Sequence, residues 1–547
     1  MTTPSAKGGG KSDSTASRNA QMARLAQTDL PKAKQMALKA RAQGLRSAIV
    51  HHLVAMDLRD AGRFADAIAE LGLGLELAPR SPGLMVTIGR CLLDLNRREE
   101  AAKVFETAMR LNPNLAEAAY GYGCAAERLG ALDSARSAFE RAVKLDPNHP
   151  DALAGLAGLA TRRGDWALAR TLAERSLAIN ERQTDALLHL ARVDLGEEAF
   201  DDARVKLERI VELPFLKPLA HANARIILGD ALDGLGRHRD AFDAYAAGNG
   251  ELNDLYASEF RRPDMVAAPD AVRDMLAEFI ASPAESWTAP LRSIKRGPER
   301  GHAFLMGFPR SGTTLLEQVI ATHPDMAALG ERPVMMDAEA EFLSKSGGLS
   351  RLAAVLSEML QPYRDAYWRR VSEFGGDPAG KVFVDKHPLG AIRLPLIHKL
   401  FPAAKVIFAL RDPRDVVVSC FRRSVNANAY ELTTLTGTAR FYDAMMTAAE
   451  TYFERLPIAV HRLRHEALVA DFETETRRLC DFLGVEWTPA LGDFADTKRT
   501  IATPSSVQIR KGLYAESAGQ WRNYAFALEP VREILAPWIE RYGYPPD

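Results

Sequence analysis

The chain has 547 residues, too many for one hydrophobic core, and the usual domain size points to two to four domains. Its 70 Lys and Arg balance 71 Asp and Glu, a net charge of −1, so the global charge argues against nucleic acid or an anionic membrane as partner and leaves any anion binding to local basic clusters. Cys91, Cys124, Cys420 and Cys480 lack metal-ligand or CxxC spacing and are few for a disulfide-built secreted protein, so a reducing cytoplasm is the simplest compartment.

The opening MTTPSAKGGGKSDSTAS has no apolar core that could act as a signal peptide, and residues 1–20 read as a disordered, soluble tail. No later run is long and apolar enough to expect a membrane span. Residues 21–255 repeat themselves. Ala33, Ala67, Ala101, Ala135, Ala169 and Ala203 recur every 34 positions, Pro79, Pro113 and Pro147 keep the same interval with Glu181 in the next slot, and Leu77, Leu111, Leu145 and Ile179 run alongside. A small residue at one fixed place lets two helices approach closely, and a proline just past a helix stops it, so each unit reads helix, turn, helix, turn. The pattern resembles the tetratricopeptide repeat, in about six or seven units, the last displaced by an insertion around Leu213 to Pro218. An irregular bundle with chance alanines would not give three ladders one period. Such an array implies a helical solenoid whose groove binds a protein or peptide, or a spacer or dimerisation module, which leaves a homodimer open.

Residues 256–299, with RRPDMVAAPDAV and ASPAESWTAPLRS around one helical stretch, read as a linker. Beyond it the apolar signal changes to short continuous runs, HAFLMGF (302–308), KVFVD (381–385) and KVIFALR (405–411), which suit buried parallel strands. Helical patterns lie between or after them, so residues 300–547 read as a doubly covered α/β domain with ligands at the carboxyl ends of its strands. The fold class is thus α plus α/β. The first strand runs into GFPRSGTTLLEQ, with Gly307 and Gly312 spaced as in a phosphate-binding loop and a helix following. Thr313 and Thr314 stand where a nucleotide triphosphatase has Lys and Ser or Thr.

PRSGTTLLEQVIATHP, VDKHP and ALRDPRDVVVSCF together resemble the sulfotransferase family that uses 3′-phosphoadenosine 5′-phosphosulfate, over nearly all of residues 300–547. Such a donor has one 5′-phosphate capped by a sulfuryl group, which accounts for the missing lysine; the family generally needs no metal. The resemblance implies that Arg310, Ser311, Gly312, Thr313 and Thr314 cradle the 5′-phosphosulfate and that Arg411 and Ser419, eight residues on, hold the 3′-phosphate. Arg411 paired with Asp412 or Asp415, and Ser419 as an ordinary helix residue, are the plain alternatives.

Sulfuryl transfer needs a base on the acceptor and positive charge near the bridging oxygen. By resemblance to the protein-tyrosine branch, Glu331 is the base and Arg310 and Lys386 the cations; a glutamate in a partly desolvated pocket can be raised toward neutral pH. Against these stand a surface carboxylate or an Arg332 pair for Glu331, and a salt bridge or solvent exposure for Lys386. His323 and His387 are rival bases. In TPSSVQIRKGLYAESAGQWRNY, Ser505 and Lys511 line up with the family's closing loop over the donor, with a slip to Ser506 and Arg510 open and Gly512 where relatives carry proline; Trp521 and Tyr524 are expected to pack the terminal helix. RHEALVADFETETRRLCDFLGV (464–485) matches a structural strand and helix and is assigned no chemistry.

The leading expectation is a sulfotransferase acting on protein tyrosine, with a carbohydrate O-sulfotransferase as rival, since the donor loops do not set the acceptor. The animal protein-tyrosine enzymes are membrane-anchored, and no anchor is read here. A kinase or nucleotide triphosphatase would use Asp385 to hold magnesium, but the loop lacks the lysine; a scaffold with a degenerate α/β domain would not retain the donor residues. The abundance of Ala and Arg points to a bacterial source of high GC content.

Overall fold

The computed structural model describes residues 10–260, 265–288, 297–423, 427–495 and 518–546. It divides into two compact units, Met1–Val193 and Asp194–Asp547.

The first unit is a series of paired antiparallel helices, of 13 or 14 residues after the first, and the alanine ladder is its contact line. Ala33, Ala67, Ala101, Ala135 and Ala169 have no exposure at all, as has Ala203 in the second unit. The proline ladder acts through the residue before it. Helices ending at Leu77, Leu111 and Leu145 are closed by Ala78, Asn112 and Asp146, held at φ between −134° and −140°, where the following ring forbids helix. Asn180 adopts the same conformation at φ −139° before Glu181, so the turn persists without proline. Close helix approach is taken furthest at Phe105, whose ring fills the space that a Cβ on Gly89 or Gly121 would need.

Gly10–Thr28 is a helix, where a disordered tail is expected up to residue 20. Its cause lies beyond the polar start: Met22, Leu25 and Ala26 supply an apolar stripe that packs with Ala33, Ala37, Val50 and Val54. Residues 1–9 of that segment lie outside the described residues.

The second unit begins with helices and continues into a five-stranded, all-parallel sheet of order β2-β3-β1-β4-β5. The strands are β1 (Gly301–Gly307), β2 (Met326–Leu329), β3 (Val382–Lys386), β4 (Lys405–Leu410) and β5 (Ala459–Arg464). Apolar side chains bury both faces. Leu305, Val384 and Ile407 pack under Leu316, Val319 and Ile320 of the Thr313–Ala321 helix and Leu479 and Leu483 of the Phe472–Leu483 helix. On the opposite side Phe408 meets Phe453 of the Leu435–Arg455 helix, and Phe304 meets Phe401. Each such side chain withdrawn from water stabilises the unit by roughly 1.5–3 kcal/mol.

The segment expected as a linker carries a docked helix, Ala268–Ala281, whose Phe279 lies against Trp287 and Tyr452. Pro269 at its start and the apolar positions Val272, Leu276 and Phe279 give it one buried face.

Candidate active site

Register decides which loops meet. Gly307 of β1 stands opposite Ala409 of β4, and Leu305 opposite Lys386 of β3, so the turns after β1, β3 and β4 emerge side by side at the carboxyl edge. Leu410 pairs with Arg464, which sets His465 beside Arg411. Gly307 is required there because a Cβ would come within 2.6 Å of the Ala409 carbonyl.

The β1 turn holds two residues in left-handed conformation, Arg310 at φ 73° and Gly312 at φ 97°. Between them Ser311 donates its N–H back to the Phe308 carbonyl at 3.1 Å, and the turn runs into a helix with no side-chain cap, a start of the kind that binds anions. Ser311 itself donates its hydroxyl to the Phe308 carbonyl at 2.6 Å and so braces the turn. Thr313 and Thr314 open the helix and are buried.

Arg310 donates its Nε to the Ser419 hydroxyl at 2.9 Å, and Arg411 donates to the Arg310 carbonyl at 3.3 Å. Residues about a hundred positions apart thus form one cluster. Arg411 also stands 3.8 Å from Asp415, the partner weighed for it above, while Asp415 accepts from the Gly519 and Trp521 backbones at 2.6 and 2.8 Å. Burial, and then the positive charge of Arg423, Arg411 and Arg422, push Arg310 down to about 9, which leaves it protonated at neutral pH within a crowd of like charges. A bound anion would relieve that crowding.

A second cluster forms at the end of β3. Lys386 is almost wholly buried and contacts two carboxylates, Glu331 at 2.7 Å and Glu317 at 3.0 Å. They raise its pKa against the opposing effect of burial. Glu331 is 44% exposed and Glu317 only 13%, so one carboxylate is open to solvent and the other is fixed.

Asp385 points to the other face of the strand, as alternation requires. It is buried, accepts from the Tyr367 hydroxyl at 3.1 Å, and is pushed up to about 7 by burial. Tyr367 in turn contacts His302 at 2.9 Å. Of the rival bases, His323 has both ring nitrogens engaged in its turn, with the Glu486 carbonyl at 2.7 Å and the Asp325 N–H at 3.0 Å. His387 is driven down to about 3 by burial and by its cationic neighbours Arg393 and Lys386. Ser505, Lys511, Ser506 and Arg510 lie outside the described residues. Trp521 is buried with Arg414 stacked 3.7 Å over its ring, and Tyr524 bonds to Asp233.

Three groups escape the sequence reading. Glu317 sits one turn into the loop helix, where LLEQ gives no hint that it will face Lys386. His465 packs on Gly312, its Nδ1 3.0 Å from where a Cβ would stand, and burial with the fields of Arg411 and Arg310 holds it down at about 3. Arg422 and Arg423 follow the quoted SCF directly, and their effect on Arg310 appears only in three dimensions. Among the described residues, no group of three or more His, Cys, Asp or Glu is placed to hold a metal ion. Nor is any described helix long and apolar enough to cross a membrane.

The Sulfotransferase family model matches residues 303–489, and the Tetratricopeptide repeat model matches 86–150 and 123–184. One region of the chain thus matches the sulfotransferase family, and a region before it matches the tetratricopeptide repeat. An uncharacterized protein of Aquifex aeolicus (strain VF5) is 26% identical over 370 residues, 63% of this chain and 46% of its own length. Protein-tyrosine sulfotransferase 1 of Danio rerio is 29% identical over 262 residues, 44% of this chain and 72% of that one, and its Homo sapiens counterpart 26% over 258 residues, 44% and 69%. The chain thus spans under half the length of its Aquifex relative.

Proposed function

We propose that the protein transfers a sulfuryl group from 3′-phosphoadenosine 5′-phosphosulfate to an acceptor hydroxyl, with protein tyrosine as the acceptor. The observation that carries this is the meeting of Arg310, Ser419 and Arg411 beside an uncapped helix start, a cradle for two phosphates without the lysine of a triphosphate site. In this reading the loop from Arg310 to Thr314 takes the 5′-phosphosulfate and Arg411 with Ser419 the 3′-phosphate; Ser505 and Lys511 belong to the same donor site.

The acceptor oxygen bonds to sulfur as the bond from sulfur to the bridging phosphate oxygen breaks. Glu331, the more exposed carboxylate on Lys386, takes the acceptor proton. The electron pair of the broken bond leaves on the phosphate, whose growing charge Arg310 and Lys386 offset. The tyrosine acceptor is supported by relatives that are named protein-tyrosine sulfotransferases at 26 to 29% identity. The repeats would bring the protein acceptor in, as solenoid grooves do for peptides. The four cysteines are free thiols, which suits the cytoplasm we assign.

Calorimetry with adenosine 3′,5′-bisphosphate, in the absence of magnesium and with ATP as control, tests this. The expected result is metal-independent binding of the bisphosphate that Arg411→Ala abolishes. Preference for ATP with magnesium would overturn it. A tyrosine peptide sulfated in preference to glycans checks the acceptor.

A further inference from the structure

We propose that the helical hairpin of Pro218–Gly234 and His238–Phe260 is a built part of the donor site, with Asp230 and Asp233 as positioning residues that act through Arg423 and Arg422. This rests on the donor assignment above. The hairpin lies outside residues 303–489, yet it belongs to the same compact unit.

The Pro413–Phe421 helix carries Ser419, and the chain leaves it through Arg422 and Arg423. Asp233 ion-pairs with Arg422 and also accepts from the Tyr524 hydroxyl, while His238 stands 3.1 Å away. Asp230 stands 3.4 Å from Arg423 and accepts from the Tyr245 hydroxyl at 2.8 Å. Asn249 donates to the Phe421 carbonyl at 2.6 Å, so the hairpin also closes the end of that helix. Three side chains of the hairpin therefore fix the turn directly after Ser419.

The charge arrangement explains why. Arg411, Arg422 and Arg423 all bear on Arg310, and unbalanced guanidiniums would repel and scatter. Carboxylates on the hairpin hold two of them in place, and each of those two keeps an Nε–H with no acceptor among the described residues. The arginines are fixed without being exhausted as donors.

Charge and position predict opposite signs, which makes the proposal testable. A carboxylate acting only through its charge repels a phosphate, so Asp230→Asn or Asp233→Asn would tighten binding. A positioning carboxylate loses the arginine geometry and weakens it. The assay is calorimetry on the full chain with adenosine 3′,5′-bisphosphate and with adenosine 5′-monophosphate. In each Asn variant the bisphosphate should bind about tenfold more weakly, with the monophosphate changed about twofold or less, so that discrimination for the 3′-phosphate falls. Asp233→Glu, which keeps the charge, should recover discrimination. Glu251→Gln, on the same hairpin but paired with His221 and Arg225, should leave it intact. If the Asn variants do not fold, Tyr245→Phe, which removes the hydroxyl that fixes Asp230 and leaves both charges, carries the test through a fall in the same ratio. Tighter binding, or equal loss for both nucleotides, overturns the positioning role. A wild-type chain that binds neither nucleotide overturns the donor assignment itself.

Discussion

Lys386→Met removes the one cation from between two carboxylates. The ammonium is 1% exposed, 2.7 Å from Glu331 and 3.0 Å from Glu317. Glu331 is more than a third exposed, so its pair is screened and contributes up to about 1 kcal/mol. The Glu317 pair is almost dry, and breaking such a pair by deleting one partner costs about 3–5 kcal/mol, because the other charge stays buried. Allowing for partial exposure, a loss of about 3 kcal/mol is expected. The folded pKa of Lys386 lies above its unfolded value, so its contribution is fully present below the unfolded value and is lost only as pH rises through the folded one. The deficit should therefore be constant across neutral pH and shrink in strong alkali. Urea unfolding followed by tryptophan fluorescence reads it, since five of the six tryptophans (Trp287, Trp368, Trp487, Trp521, Trp538) belong to the second unit. Glu317→Gln added to Lys386→Met should recover part of the loss by removing the stranded charge. A variant as stable as wild type, or no recovery in the double variant, would refute the buried-pair account.

Gly312→Ala should cost about 1–2 kcal/mol from the left-handed backbone alone, and its Cβ presses on His465, so bisphosphate binding measured by calorimetry should weaken by about tenfold or more. Gly121→Ala puts a Cβ 2.1 Å from Phe105 Cε1; overpacking of about 1–3 kcal/mol should lower the melting transition of the first unit seen by circular dichroism and leave bisphosphate binding unchanged. Asp385 is held at about 7, above its unfolded value of 3.8, so the stability it lends is full below the lower figure and lost as pH rises through the upper one. Asp385→Asn should flatten that slope, and its urea midpoint at pH 8 should equal or exceed wild type; a lower midpoint at pH 8 than at pH 5 relative to wild type would contradict this.

What could be read from the sequence was what depends on neighbours along the chain. The alanine ladder records which residue each helix presents to the next, and the sequence states it at a fixed period. The runs that became β1, β3 and β4 are apolar throughout because those central strands are covered on both faces. Edge strands carry no such signal. β2 is only MAAL and gives no reading, and β5, AVHRLR, keeps charged residues because its outer side is exposed, so it ends at Arg464, where the strand expected within 464–485 would begin. The candidate site divides in the same way. Arg310, Gly312, Arg411 and Ser419 lie in short motifs whose spacing is visible along the chain. Glu317 and His465, by contrast, matter through the strand register that sets them against Lys386 and the loop.

The hairpin shows how far this limit reaches. Asp233 and Arg422 are 189 residues apart, and nothing within either segment marks the other as its partner. In isolation, the acids of IILGDALDG read as the polar face of a repeat helix and the arginines of SCFRRS as a solvated helix end. Only the folded unit turns them into counter-ions, because the helix that ends at Phe421 must be closed by something, and Asn249 closes it from the hairpin. A chain beginning at residue 300 would keep every motif by which the domain is recognised and would lack the carboxylates that hold Arg422 and Arg423. Recognition by motif and competence to bind therefore need not share a boundary: the motifs lie where the loops are local, and the charges that hold the loops come from wherever the fold can supply them.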